Sequence, residues 1–113
     1  MNSRDKGKRG ERDWAAFLRE HFDCKDARRG VQYSGGTDSP DVVNGIPGTH
    51  AEVKRTERLQ LHKAMAQAIA DAGSGAVPYV ASKRNRDDWL ITLRAADLPR
   101  LVELMKKAAA ASC

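Results

Sequence analysis

The stretch that most constrains this chain runs from Ser39 to Arg55. Asp41-Val42-Val43 is a β-branched run entered through Pro40, a position where a strand tolerates a proline. Asn44-Gly45 and Pro47-Gly48 are turn dipeptides, because glycine takes the positive φ that such turns require. Ala51-Glu52-Val53-Lys54 then resumes an extended strand. Two short strands joined by a turn are the simplest structure consistent with this order. Side chains alternate along a strand, so Glu52 and Lys54 share one face and Val53 takes the other. If the strands pair, Asp41 arrives beside Glu52 and Lys54. Two carboxylates and an ammonium then occupy one small space.

Adjacent carboxylates repel, and a divalent cation relieves the repulsion. Mg²⁺ suits such a place: it prefers oxygen, keeps several waters, and takes one or two protein carboxylates plus substrate phosphate. The cation would activate water and offset charge on a phosphate, with a lysine alongside to hold the water or the crowded phosphorus. Metal-assisted cleavage of a phosphodiester is the chemistry implied. Glu-x-Lys alone is common by chance; its combination with Pro-Asp, a β-branched run and a Gly-rich turn is much rarer. The competing reading is an exposed strand edge whose alternating charges form a simple ion pair.

At 113 residues the chain makes one domain, spanning residues 1–113, with enough length for a core without staples. A 41% apolar and 31% charged composition suits a small soluble α/β protein, and the net charge of +5 favours an anionic partner, nucleic acid first. No run of apolar residues is long enough to span a membrane. The N-terminal residues lack an apolar signal-peptide core. Cys24 and Cys113 form no metal motif, as expected of an intracellular, cytoplasmic protein.

Met1 to Arg9 is rich in cations, with residues 1–6 expected as a flexible basic arm. From Gly7 to Phe22, Trp14, Phe17, Leu18 and Phe22 recur at helical spacing. Glu11 extends that apolar stripe; its partner is either an acidic metal cluster or only the helix dipole. Lys25, Arg28 and Arg29 precede Val31-Gln32-Tyr33, expected as a first strand, and a Gly-rich loop with Ser34. Asp38 competes with Asp41 as a ligand; Asp41 is preferred because it lies at the strand. Glu57 to Ala72 reads as a second helix, with Leu61, Met65, Ile69 and Ala72 on its apolar side and Gln60, Lys63, Gln67 and Asp71 opposite. His62 and His21 read as structural and solvated residues. Val77–Ser82 and Trp89–Leu93 form a hairpin about the basic turn Lys83-Arg84-Asn85-Arg86, either solvated surface or a DNA contact. A last helix begins at Ala96-Asp97, and residues 108–113 are expected to fray.

The order helix, three strands, helix, two strands, helix, with Gly10-Glu11-Arg12, Pro40-Asp41-Val42-Val43 and Glu52-Val53-Lys54, resembles the PD-(D/E)xK nuclease superfamily. Within it the chain looks most like the archaeal Holliday junction resolvases and their small phage or prophage relatives. The resemblance implies a restriction-endonuclease-like α/β fold, a central mixed sheet flanked by helices, and a homodimer that cuts branched DNA. It implies that Asp41 and Glu52 bind Mg²⁺ or Mn²⁺ with the Val53 carbonyl, that Glu11 completes the acidic group, and that Lys54 is the catalytic lysine. Arg12, one of Arg28 or Arg29, Ser34 and Lys83 match positions near that site, and Arg84 joins them as a candidate DNA contact from the basic turn. No organic cofactor is implied. The loop between Arg29 and Asp41 is longer than in the archaeal enzymes, which bears on substrate choice. A nickase or restriction-type nuclease, and a non-catalytic module that recognises branched DNA, are the alternatives.

Overall fold

The turn dipeptides and the apolar stripes set the frame. A computed structural model describes residues 3–30 and 40–111. Its elements are α1 (Ser3–His21), β1 (Arg28–Arg29), β2 (Val42–Val43), β3 (Thr49–Arg55), α2 (Leu61–Ala72), β4 (Val77–Lys83), β5 (Leu90–Thr92), a 3₁₀ turn (Ala95–Asp97) and α3 (Leu98–Ala111). This is the expected order of a mixed α/β domain.

β3, β4 and β5 form a three-stranded sheet, parallel between β3 and β4 and antiparallel between β4 and β5. Glu52 stands opposite Val80 and Arg55 opposite Lys83. β1 and β2 make a separate antiparallel ribbon. The expected pairing of the two site strands is thinner than a ladder: the Asp41 N–H donates to the Ala51 carbonyl at 3.1 Å, while β2 itself pairs with β1. In the turn between them Asn44 and Gly48 both take positive φ. At Gly48 a Cβ would also stand 2.7 Å from the Leu104 side chain, so only glycine lets α3 close over this turn.

Trp14 and Leu18 of α1 are completely buried, as their spacing requires. The indole N–H of Trp14 donates to the Tyr79 hydroxyl at 3.0 Å, which satisfies both polar groups inside the core. Phe17 stacks on Trp14 at 5.3 Å, and Trp89 lies 5.0 Å from it. Burying a side chain of this size contributes roughly 1.5–3 kcal/mol, so this cluster fixes α1 against β4. A smaller core joins Ala64, Met65 and Ala68 of α2 to Val80.

Several boundaries differ from expectation. α1 begins at Ser3, so residues 3–6 of the expected arm are its first turn. The expected strand Val31–Tyr33 lies outside the described residues, and β1 is at Arg28–Arg29. α2 starts at Leu61 and not Glu57, because Glu57 and Thr56 turn their side-chain oxygens to backbone N–H groups of Asn85 and Arg58. The helix docks through Ala64 and Ala68, whereas Leu61 is exposed. Small residues let the helix lie close on the sheet. α3 runs to Ala111, through part of the stretch expected to fray.

Candidate active site

β3 carries Glu52 and Lys54 on one face, as strand alternation demands, and Val53 points into the core. Lys54 Nζ lies 3.3 Å from Glu52 Oε1; the Glu52 side chain is 6% exposed and that of Lys54 34%. Asp41 is buried immediately before β2. Its Oδ2 accepts the Val53 backbone N–H at 2.8 Å, which locks this carboxylate to β3. The sequence expectation that Asp41, Glu52 and Lys54 meet is thus realised, with the Val53 peptide between them.

The electrostatics follow from that packing. Burial pushes the Asp41 carboxyl up to about 6, and the nearby Glu52 charge adds to the rise; the Val53 N–H and Lys54 oppose it. Burial also raises Glu52, against the pull of Lys54. Glu11 is raised first by burial and then by Asp41, while the Arg29 guanidinium lowers it through a 2.7 Å contact from Nε to Oε1. Glu11 therefore feels the site electrostatically while its carboxylate is held by Arg29. Its position depends on Gly10, where a Cβ would come 2.7 Å from Arg55 Cβ. The bare glycine lets α1 touch β3.

Among the described residues, no three His, Cys, Asp or Glu side chains stand close enough to share one ion. Asp41 and Glu52 form the narrower donor set. Two mutually repelling, buried carboxylates fit a hard cation that retains its own waters.

Two residues opposite the apolar side of α2, Gln67, whose role spacing alone left ambiguous, and Asp71, also face this place. Lys54 Nζ donates to Gln67 Oε1 at 3.5 Å, a long bond. Asp71, one turn further along α2, raises both Asp41 and Glu52. Helical spacing could not reveal this, because it separates faces without saying what each one meets. The available signal was topological: a helix linking two adjacent parallel strands crosses back over their sheet.

The remaining candidates are dispersed in role. Arg12 and Arg28 are exposed, Arg29 is occupied by Glu11, and Lys83 ends β4. Arg84 is tied to Asp87 at 2.7 Å. Ser34 and Asp38 lie outside the described residues. Cys24 is half-buried, and its burial pushes the thiol up, away from reactivity. No described helix is long and apolar enough to cross a membrane.

No family model and no curated protein matches this chain. Among solved structures it is similar to Hjc, a Holliday junction resolvase from the archaeal hyperthermophile Archaeoglobus fulgidus. The identity is 30%, the match covers 75% of this chain and 73% of that one, and the TM-score is 0.55.

Proposed function

The chain belongs to the family of the archaeal Holliday junction resolvases, nucleases of the PD-(D/E)xK superfamily, and from that membership we propose that it is a divalent-metal-dependent endonuclease cutting four-way DNA junctions as a homodimer. The observation that carries the reading is the buried pair Asp41 and Glu52 with Lys54 beside it. Mg²⁺, with Mn²⁺ as its substitute, is the ion proposed.

Asp41 and Glu52, with the Val53 carbonyl, are the groups that would hold the ion. When bound, it supplies Lewis acidity toward a phosphate oxygen and lowers the pKa of water. The protein residues supply the rest. The Val53 N–H keeps Asp41 from turning away, at 2.8 Å. Lys54, an ammonium with three protons, gives one toward Glu52 and one toward Gln67. The third remains for an attacking water or for charge growing on the phosphoryl oxygens. Glu11 and Arg29 form an ion pair beside this centre, and Arg29 offers further N–H groups to a phosphate. The dimer has support in α3, where Leu98, Val102 and Met105 form an exposed apolar stripe at helical spacing.

The test is cleavage of a four-way junction beside linear duplex, nicked duplex and a flap, each in Mg²⁺, Mn²⁺ and EDTA. Paired symmetric nicks confined to the junction and lost in EDTA are expected. Metal-dependent cutting of duplex or flap would keep the site and discard the junction. Tight junction binding without any cutting would leave a non-catalytic binding module.

A further inference from the structure

In the turn between β4 and β5 the sequence pointed to Lys83 and Arg84 as the candidate DNA contacts, and the structure separates Arg84 from Arg86. Arg84 gives both Nε and Nη2 to Asp87 Oδ2, at 3.0 and 2.7 Å. The Asp87 N–H donates to the Arg84 carbonyl and the Asp88 N–H to Asp87 Oδ1. The Asn85 N–H donates to Glu57 Oε1 at 2.7 Å, which pins the tip to the segment between β3 and α2. Arg84, Asp87 and Glu57 thus serve the shape of the turn.

Arg86 is different. It is exposed, and it belongs to none of the ion pairs among the described residues. Its φ is +59°, in the left-handed region, where glycine and asparagine sit at less cost than an arginine. A turn selected only for its shape would favour one of those residues. The position has instead a long cation on a backbone held in place by its neighbours.

The surroundings suit a polyanion. Arg55 stands opposite Lys83, one residue beyond Lys54, and Arg58 lies in the segment that Glu57 anchors. With the Arg84–Asp87 pair set aside, Arg55, Arg58, Lys83 and Arg86 outnumber Glu57 and Asp88 on this rim. Cations spaced along an edge match the regularly spaced phosphates of a nucleic acid strand better than one small anion. We infer that Arg86, and not Arg84, is the residue by which this turn grips a DNA phosphate beside the active site. The inference rests on the nucleic-acid reading above and does not need cleavage.

The experiment is anisotropy of a labelled four-way junction and a labelled duplex in EDTA across a KCl series, with thermal melting of the same proteins. Arg86→Asn should weaken binding several-fold. It should lower the slope of log affinity against log salt by about one, the loss of one phosphate contact. It should melt no lower than the wild type, because asparagine suits the left-handed backbone. Arg84→Ala should leave the salt slope unchanged. A wild-type slope in Arg86→Asn overturns the inference while leaving the nuclease reading intact. A lowered melting temperature accompanying the weaker binding also overturns it, since Arg86 would then be structural. A wild-type protein that binds neither DNA removes the nucleic-acid reading and this inference together.

Discussion

Two charged regions of this small domain use the same residue types to opposite ends. At the active site, Asp41 and Glu52 are buried and Lys54 is partly so; at the hairpin tip, Arg84 and Asp87 lie in open solvent. The tip pair is better matched geometrically, yet water screens it, and such pairs add little to stability. The site pair is poorly matched: two carboxylates face one ammonium in a half-desolvated space, and both acids resist ionisation. The comparison teaches that charge becomes chemically useful here where it is badly compensated. A cation or a phosphate gains most where the protein has left electrostatic work undone.

The sharpest test of that contrast is catalytic. Glu52→Gln and Lys54→Ala should each slow single-turnover junction cleavage by about a thousandfold or more, with junction affinity in Ca²⁺ within about threefold of wild type. Cleavage surviving in Glu52→Gln would dissolve the distinction between the two regions.

Next in size is the cost of ionising Asp41 in the metal-free protein. An unfolded chain releases this proton near 3.8 and the folded chain at about 6, so between those values the folded state holds more protons. Stability should therefore rise as pH falls from 8 through 6 and level off below about 4. The gain for this group is at most about 3 kcal/mol. Glu52 and Glu11, also raised, add in the same direction. Melting curves in EDTA read the trend, and saturating Mg²⁺ should flatten it. Asp41→Asn should raise the melting temperature at pH 8 and abolish stabilisation by Mg²⁺. A metal-free protein that loses stability on acidification from pH 8 to 6 would contradict this picture.

Gly10→Ala is a smaller perturbation from outside. It should force α1 off β3, move Glu11 and Arg29, and lower cleavage by roughly tenfold, with a loss of about 1–2 kcal/mol in urea unfolding. Least affected should be Asp87→Asn: its melting temperature should stay within error of wild type, because the pair shapes only the local turn in open solvent, and a clear fall would show that it supports the fold as a whole.

The sequence made these regions unequally legible. Asp41, Glu52 and Lys54 could be brought together from strand alternation and a short turn, because both are local rules. The stripe through Trp14 and Leu18 was readable for the same reason. Gln67 was ambiguous and Asp71 was placed only opposite the apolar side, because their meeting with Lys54 and Glu52 depends on how α2 crosses the sheet. Leu61 was expected inside and is exposed, since Ala64 and Ala68 bring the helix down first. Arg84 was named as the DNA contact ahead of Arg86 because sequence does not record which cation has found a carboxylate.

The Trp14–Trp89 contact has an optical consequence. The chain has two tryptophans, and their rings lie 5.0 Å apart in a single cluster. Intrinsic emission therefore comes from one place, where α1 meets β4 and the residue entering β5. Trp89 lies three positions after Arg86, so a strand settling on the hairpin tip acts close to one of the two emitters. Junction titrated against unlabelled protein should change the emission, while loosening of α2 should leave it unchanged. One cuvette then separates events at the nucleic-acid edge from events at the helix behind Lys54.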